Sequence, residues 1–339
     1  MTTSNRILVE TRDAEIMNLS TVLCEIFNLI HRKEQHIVLD LFHGEGPAIE
    51  NLTCNIENNL IKLLQKIKEG TNYNGKISIA HGNLVQDPKV WPDTEFKYND
   101  VGQLQGKHLT AITKVHNIKT FGCFVGTSTY PRLLMSSFLN YHFKEKTFQT
   151  YRRSVFDPAD AFNFRIDRLL FEMSKAQKHE EYFTWLSKFL PATPIKKESK
   201  PLQKLINKNH VWTEMPEHYA NFFLDIVCET YFSGKTFFPT EKIMRPLKLR
   251  TPFVVHGPIN YLGNLKKLGL KTFSNFWSEE YDRYEGIERF EKIRSLLAYI
   301  GQLTQSEIHT MYDKMTAILD HNENVYKSLT AEKIMQTFA

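Results

Sequence analysis

The feature that most constrains this chain is a pattern that occurs twice: an apolar run, a glycine-bearing loop, then helical periodicity. His36–Phe42 (HIVLDLF) runs into His43-Gly-Glu-Gly-Pro47. A short apolar run closed by turn formers reads as a buried strand entering a tight loop. Ile49–Glu69 follows, with Leu60, Ile61, Leu63, Leu64 and Ile67 at helical spacing, and Lys76–Asn83 (KISIAHGN) is a second strand ending in a Gly-Asn loop. Strand, helix, strand predicts a parallel sheet with crossover helices. The pattern restarts at Lys119. Phe121–Val125 is apolar, Gly126-Thr-Ser-Thr129 is a loop of hydroxyls and backbone donors, and Arg132–Phe143 has helical character.

The chain has 339 residues, more than one hydrophobic core usually serves. Two α/β domains are expected, 1–114 and 115–339. In the second, 157–209 reads as mostly helical, with the Pro-flanked basic stretch Pro191–Pro201 exposed. Phe222–Glu229 fits either strand or helix. Thr240–Leu249 is a short helix broken by Pro246, and Pro252–Gly257 (PFVVHG) is a strand. Near the C-terminus, Thr304-x-x-Glu307 forms a capping box ahead of Ile308, Met311, Met315 and Leu319, a helical stripe that reads as core.

Hydrophobic residues at 42% allow packed cores, and charged residues at 24% without low-complexity runs argue against extensive disorder. Net charge +5 suits an anionic ligand but does not by itself indicate nucleic acid. The four cysteines (Cys24, Cys54, Cys123, Cys228) are scattered, so reduced thiols are expected. The polar N-terminus lacks a signal peptide, and no apolar run is long enough to span a membrane. A cytoplasmic protein is expected, without membrane partners.

The stretch Ser233–Lys242 (SGKTFFPTEK) offers two places for a phosphate. A P-loop requires a glycine five residues before Gly234, and that position is Glu229. The alternative is TEK. Thr240 suits the N-cap of a helix whose first-turn N–H groups and dipole attract a phosphate, with Lys242 adding a point charge. Glu241 could accept hydrogen bonds from a ribose diol. Glu229 either orients Lys242 or binds a donor hydroxyl.

These residues carry a resemblance. Cys228-Glu-Thr, a loop, Thr240-Glu-Lys-Ile243, a helix and Pro252-Phe-Val-Val-His-Gly257 resemble the nucleotide-sugar site of the fucosyltransferases of glycosyltransferase family 10, which carry Phe-Glu-Asn, Tyr-Val-Thr-Glu-Lys-Ile and Pro-Val-x-x-Gly. Thr230 stands where the family has Asn, the tyrosine before TEK is absent, and the loop is longer. Leu265–Phe273 and Trp277–Asp282 are similar to phage and large-virus relatives, which would place the protein in a host cytoplasm. Upstream, Phe121–Leu139 resembles the family's first nucleotide-binding strand, and Arg132 matches the arginine before its helix. The resemblance covers roughly 115–300. It implies the GT-B architecture, two facing Rossmann-like domains with parallel sheets and a helical C-terminus. It also implies inverting transfer from a GDP-fucose-like donor, with Arg132 neutralising the diphosphate as the sugar bond breaks. Gly126, Thr127 and Ser128 could donate to the phosphates.

The N-terminal domain of such enzymes holds the acceptor and a catalytic carboxylate. Glu45, exposed between two glycines after a strand, is the candidate base, with His43 in reserve. Asn83 could bind acceptor, and His256 could contact ligand or be structural. No Asp-x-Asp or HExxH is present, so neither metal nor cofactor is expected. The leading expectation is a glycosyltransferase acting on a glycan or glycoprotein. A transferase for phage or viral DNA bases and a non-catalytic binding protein are the alternatives.

Overall fold

All pairings in the two four-stranded sheets of the computed structural model are parallel, and the structure describes residues 5–12, 15, 16, 18–41, 59–85, 91–96, 114, 118–125, 130–151, 179–192, 215–229, 232, 234, 235 and 237–338. The first sheet joins β1 (Asn5–Val9), β4 (His36–Leu41), β5 (Lys76–His81) and β6 (Thr94–Phe96) in the order β1-β4-β5-β6. A small antiparallel ribbon, β2 (Thr11–Arg12) with β3 (Glu15–Ile16), precedes helix α1 (Leu19–His31). Helix α2 (Leu60–Thr71) begins later than its apolar spacing suggests. Asn59 is extended (φ −95°, ψ 168°), and its side chain accepts from the Lys62 N–H, so the helix starts there. Leu60, Ile61, Leu64 and Ile67 on one face pack with Ile37, Leu39, Ile77 and Ile79 of the strands. β4 and β5 are buried along nearly their whole length, as parallel strands covered on both faces must be.

The second sheet joins β7 (Lys119–Val125), β8 (Thr147–Tyr151), β9 (Phe222–Cys228) and β10 (Phe253–His256) in the order β10-β9-β7-β8. Phe222–Glu229, open between strand and helix in the sequence, is a strand with every residue from Phe222 to Cys228 buried. Helix α3 (Tyr130–Phe143) follows β7 and packs with α4 (His179–Ala192) through Phe138 and Trp185, 5.2 Å between ring centres. The short helix α5 (Met215–Tyr219) leads into β9. Helix α6 (Glu241–Lys248) continues past Pro246 instead of breaking there. Proline removes one donor, but Leu249 N–H still reaches the Arg245 carbonyl at 2.8 Å, and the helix ends within three residues anyway. After β10 come α7 (Tyr261–Lys267), α8 (Gly286–Ile300) and α9 (Gln305–Ser328). Helix α9 is opened by the Thr304–Glu307 capping box and buries Ile308, Met315 and Leu319. The last helix is α10 (Ala331–Phe338).

The chain divides into two compact units: 1–102 with 233–238 and 330–339, and 103–232 with 239–329. The expected single cut after residue 114 differs from this division, because two downstream segments belong to the first unit. One is held by Asn83, whose Oδ1 accepts from the Phe237 N–H at 2.8 Å and the Val85 N–H at 3.1 Å. The other places Phe338 against Phe237, 5.2 Å between ring centres. Each unit carries a Rossmann-like parallel sheet flanked by helices, and the C-terminus is helical. Among the described residues, no helix is long and apolar enough to cross a membrane.

Candidate functional site

Strand order locates a ligand position before any side chain is considered. The chain runs from β7 outward to β8, returns to the opposite side of β7 as β9, and continues outward to β10. Connections leave β7 and β9 in opposite directions, and sheets of this kind take ligands at the carboxyl ends of such a strand pair. The first sheet runs β1-β4-β5-β6 without a reversal among its described strands. The switch point of the second sheet is therefore where chemistry is sought.

Beyond the end of β9 stands Glu229, which is 5% exposed. The N-cap Thr240 is 1% exposed, and its hydroxyl donates to Glu229 Oε2 at 2.9 Å. Thr240 Oγ1 in turn accepts from the Lys242 backbone N–H and from the Lys242 ammonium, both at 3.2 Å. One hydroxyl proton and two lone pairs are thus all engaged. Lys242 Nζ also lies 3.3 Å from Glu241 Oε1 and 3.9 Å from Glu229 Oε2. Arg245, one turn on, reaches the same Glu241 oxygen at 3.4 Å. Burial opposes the charge of Glu241, but Lys242, Arg245 and the backbone at the helix start overcome it and hold its pKa at about 2.

Helix α3 brings Arg132 to the end of β9. Arg132 is 5% exposed, and its Nε donates to the carbonyl of Cys228, the last residue of β9, at 3.2 Å. His256, at the end of β10, packs edge-on against Phe232 at 4.2 Å between ring centres and lies 4.0 Å from Cys228 Sγ. Burial, then the charges of Arg289 and Arg132, push its pKa well down, which favours the neutral imidazole. Behind the site, a second buried group centres on Asp225 of β9. Tyr219 donates to Asp225 Oδ2 at 2.5 Å, and Lys114 donates to the Tyr219 carbonyl at 2.7 Å and to Thr251 Oγ1 at 3.0 Å. Burial raises Asp225 to about 7, against the Tyr219 hydrogen bond and the charges of Arg245 and Lys114. Burial likewise lowers Lys114 to about 7, against the pull of Asp225.

A cavity of about 630 Å³ opens beside α7, lined in part by Asn260, Lys266, Ser278, Glu279 and Asp282. Two of its acids are engaged by neighbouring donors. Asp282 accepts from the N–H groups of Leu262 and Gly263, and Glu279 accepts from Thr272 Oγ1 and the Phe273 N–H, both at 2.7 Å. Among the described residues, no three His, Cys, Asp or Glu side chains cluster to hold a metal ion.

No protein-family model, curated protein or solved structure matches the chain. The structure brings together Arg132, Glu229, Thr240, Glu241 and Lys242. Glu45, His43, Gly126, Thr127 and Ser128 lie outside the described residues. Asn83, considered for an acceptor, holds the Phe237 N–H on its Oδ1, which also takes the Val85 N–H. In the GKT phrase, Lys235 is exposed and no helix follows until Glu241, so the strand–loop–helix frame of a P-loop is missing. Arg245 was legible as the partner of Glu241 four residues earlier. Tyr261, which donates to Glu229 Oε1 at 2.7 Å, had no local signal.

Proposed function

We propose that the second unit holds the diphosphate of a nucleotide sugar at the start of α6, and that the chain is an inverting glycosyltransferase of the GT-B type acting on a glycan or glycoprotein hydroxyl. One observation carries this reading: Arg132, Glu229, Thr240, Glu241 and Lys242 gather at the carboxyl end of β9, beside the sheet's switch point. Three cationic side chains, Arg132, Lys242 and Arg245, stand there with two acidic ones, and the helix dipole adds to the attraction for an anion.

In this reaction the acceptor oxygen attacks the anomeric carbon as a base removes its proton. The bond from that carbon to the diphosphate oxygen breaks, and the configuration inverts. Charge grows on the departing diphosphate. Arg132 and Lys242 are fixed cations suited to stabilise it, since donors already in place need no reorganisation at the moment of reaction. Glu45 is retained as the base, with His43 in reserve.

The test is a thermal-shift panel of nucleoside diphosphates and their sugars, with wild type and Lys242→Ala. A ligand bound only by the native state raises the melting temperature. A rise with one nucleotide, lost in the variant, supports the reading. No rise with any nucleotide at millimolar concentration sinks it.

A further inference from the structure

The carboxylate of Glu229 is gripped from both sides, and one of the grips comes from a residue that the rest of the fold takes care to aim. Thr240 and Lys242 approach Oε2; the Tyr261 hydroxyl donates to Oε1 at 2.7 Å. Tyr261 is itself 1% exposed.

Its direction is set by several contacts. The Glu229 N–H donates to the His256 carbonyl at 3.0 Å, tying the end of β10 to the end of β9. The chain then passes Gly257, where an added Cβ would sit 3.2 Å from the Cβ of Glu229, so the backbone runs directly against that side chain. Asn260 turns through the left-handed region (φ 58°), and its N–H donates to the Asp282 carbonyl at 2.7 Å. The Asp282 carboxylate then takes the Leu262 and Gly263 N–H groups at 3.0 and 3.3 Å. Its other oxygen takes Arg289, wholly buried, at 3.0 Å, and Arg289 also donates to the Val255 carbonyl at 2.9 Å. The residues on either side of Tyr261 are therefore anchored to one strut, and the phenol between them is delivered to Glu229.

We infer that Tyr261 is a positioning residue of the phosphate site, acting through Glu229 on Lys242. A glutamate's terminal torsion is broad, so a carboxylate held on one oxygen alone can swing. With both oxygens engaged it cannot, and the Thr240 hydroxyl and the Lys242 ammonium keep one arrangement at the helix start. The inference rests on the proposed diphosphate site. On this inference Glu229 orients Lys242 instead of meeting a sugar hydroxyl.

The experiment is a double-mutant cycle read by calorimetric titration of the full chain with inorganic pyrophosphate at low ionic strength. The variants are Tyr261→Phe, Lys242→Gln and the pair together. Tyr182→Phe is the control, because Tyr182 makes a comparable phenol–carboxylate bond to Glu291 at 2.5 Å, remote in sequence from the TEK segment. Lys242→Gln is expected to weaken binding on the order of 10- to 100-fold, and Tyr261→Phe on the order of 3- to 10-fold. The double variant is expected to bind no worse than Lys242→Gln alone, since residues acting as one unit are non-additive. Tyr182→Phe should lower the melting temperature and leave pyrophosphate affinity intact. Unchanged affinity in Tyr261→Phe overturns the inference. So does a repeat of its loss in the Lys242→Gln background, or an equal loss in Tyr182→Phe. If wild type itself ignores pyrophosphate, the proposed function falls and takes this inference with it. If wild type binds and only Lys242→Gln is impaired, this inference alone falls.

Discussion

Replacing Thr240 with alanine removes two supports at once. The first is the N-cap of α6, worth about 1 kcal/mol for a threonine. It matters more than usual here because α6 spans only Glu241–Lys248 and already lacks the donor of Pro246. The second is the hydroxyl donated to buried Glu229 at 2.9 Å. A hydrogen bond to a charged group contributes about 1.5–3 kcal/mol, and its loss leaves a carboxylate that burial penalises. Tyr261 and Lys242 still hold Glu229, so the lower end of that range applies. Together the loss is about 2–3 kcal/mol. For a unit of this size that corresponds to a fall in melting temperature of roughly 4–12 °C. Thr240→Ser keeps the hydroxyl and gives up one buried methyl, about 0.8 kcal/mol. Differential scanning calorimetry is the suitable assay, because a two-unit protein can unfold in more than one transition. A Thr240→Ala variant melting within about 1 °C of wild type would refute this reasoning. So would a serine variant as unstable as the alanine one, because the hydroxyl would then not be the cause.

Two further outcomes follow from buried groups. A Cβ at Gly122 on β7 would meet ring atoms of Phe222 at 2.4 Å, and that ring is packed against Phe124 and Tyr219 with Lys114 over it. Gly122→Ala is expected to cost about 1–3 kcal/mol by overpacking, and Phe222→Leu in the same chain should recover part of it. Urea denaturation checks this, and a neutral Gly122→Ala contradicts it. The Asp225 carboxyl has a folded pKa raised from 3.8 to about 7. Between those values the native state keeps a proton that the unfolded chain has released, so stability falls as pH rises through that window. Lys114, lowered from 10.5 to about 7, acts in the opposite sense above it: between those values the unfolded chain keeps a proton that the native state has released, so stability rises with pH. Asp225→Asn should therefore gain on wild type steadily from pH 5 to pH 7 in urea melts. A constant difference across that range would rule out the raised carboxyl.

What the amino-acid order determined by itself was local. Apolar runs of the right length became β4, β5, β7 and β10, and the Thr304–Glu307 and Thr240 caps started α9 and α6, because strand pleat and helix turn repeat over a few residues, whereas only the structure made Phe222–Cys228 a strand. Local patterning failed where its signal was weak. β1 alternates between exposed and buried residues, and it passed for a polar terminus. The α2 apolar spacing ran past Asn59, whose capping side chain is what starts the helix.

The site divides in the same way. The Thr240–Lys242 segment was legible because a helix start announces itself within four residues. Strand order was not, since β7, β8, β9 and β10 carry no mark of their neighbours, yet that order creates the reversal beside which the candidate site lies. The partners of Glu229 and Cys228 come from afar: Tyr261 lies 32 residues from Glu229, and Arg132 lies 96 from Cys228. A buried carboxylate must find donors wherever the closed chain brings them. Periodicity is written in neighbouring residues, whereas the satisfaction of buried charge is decided only when distant segments pack.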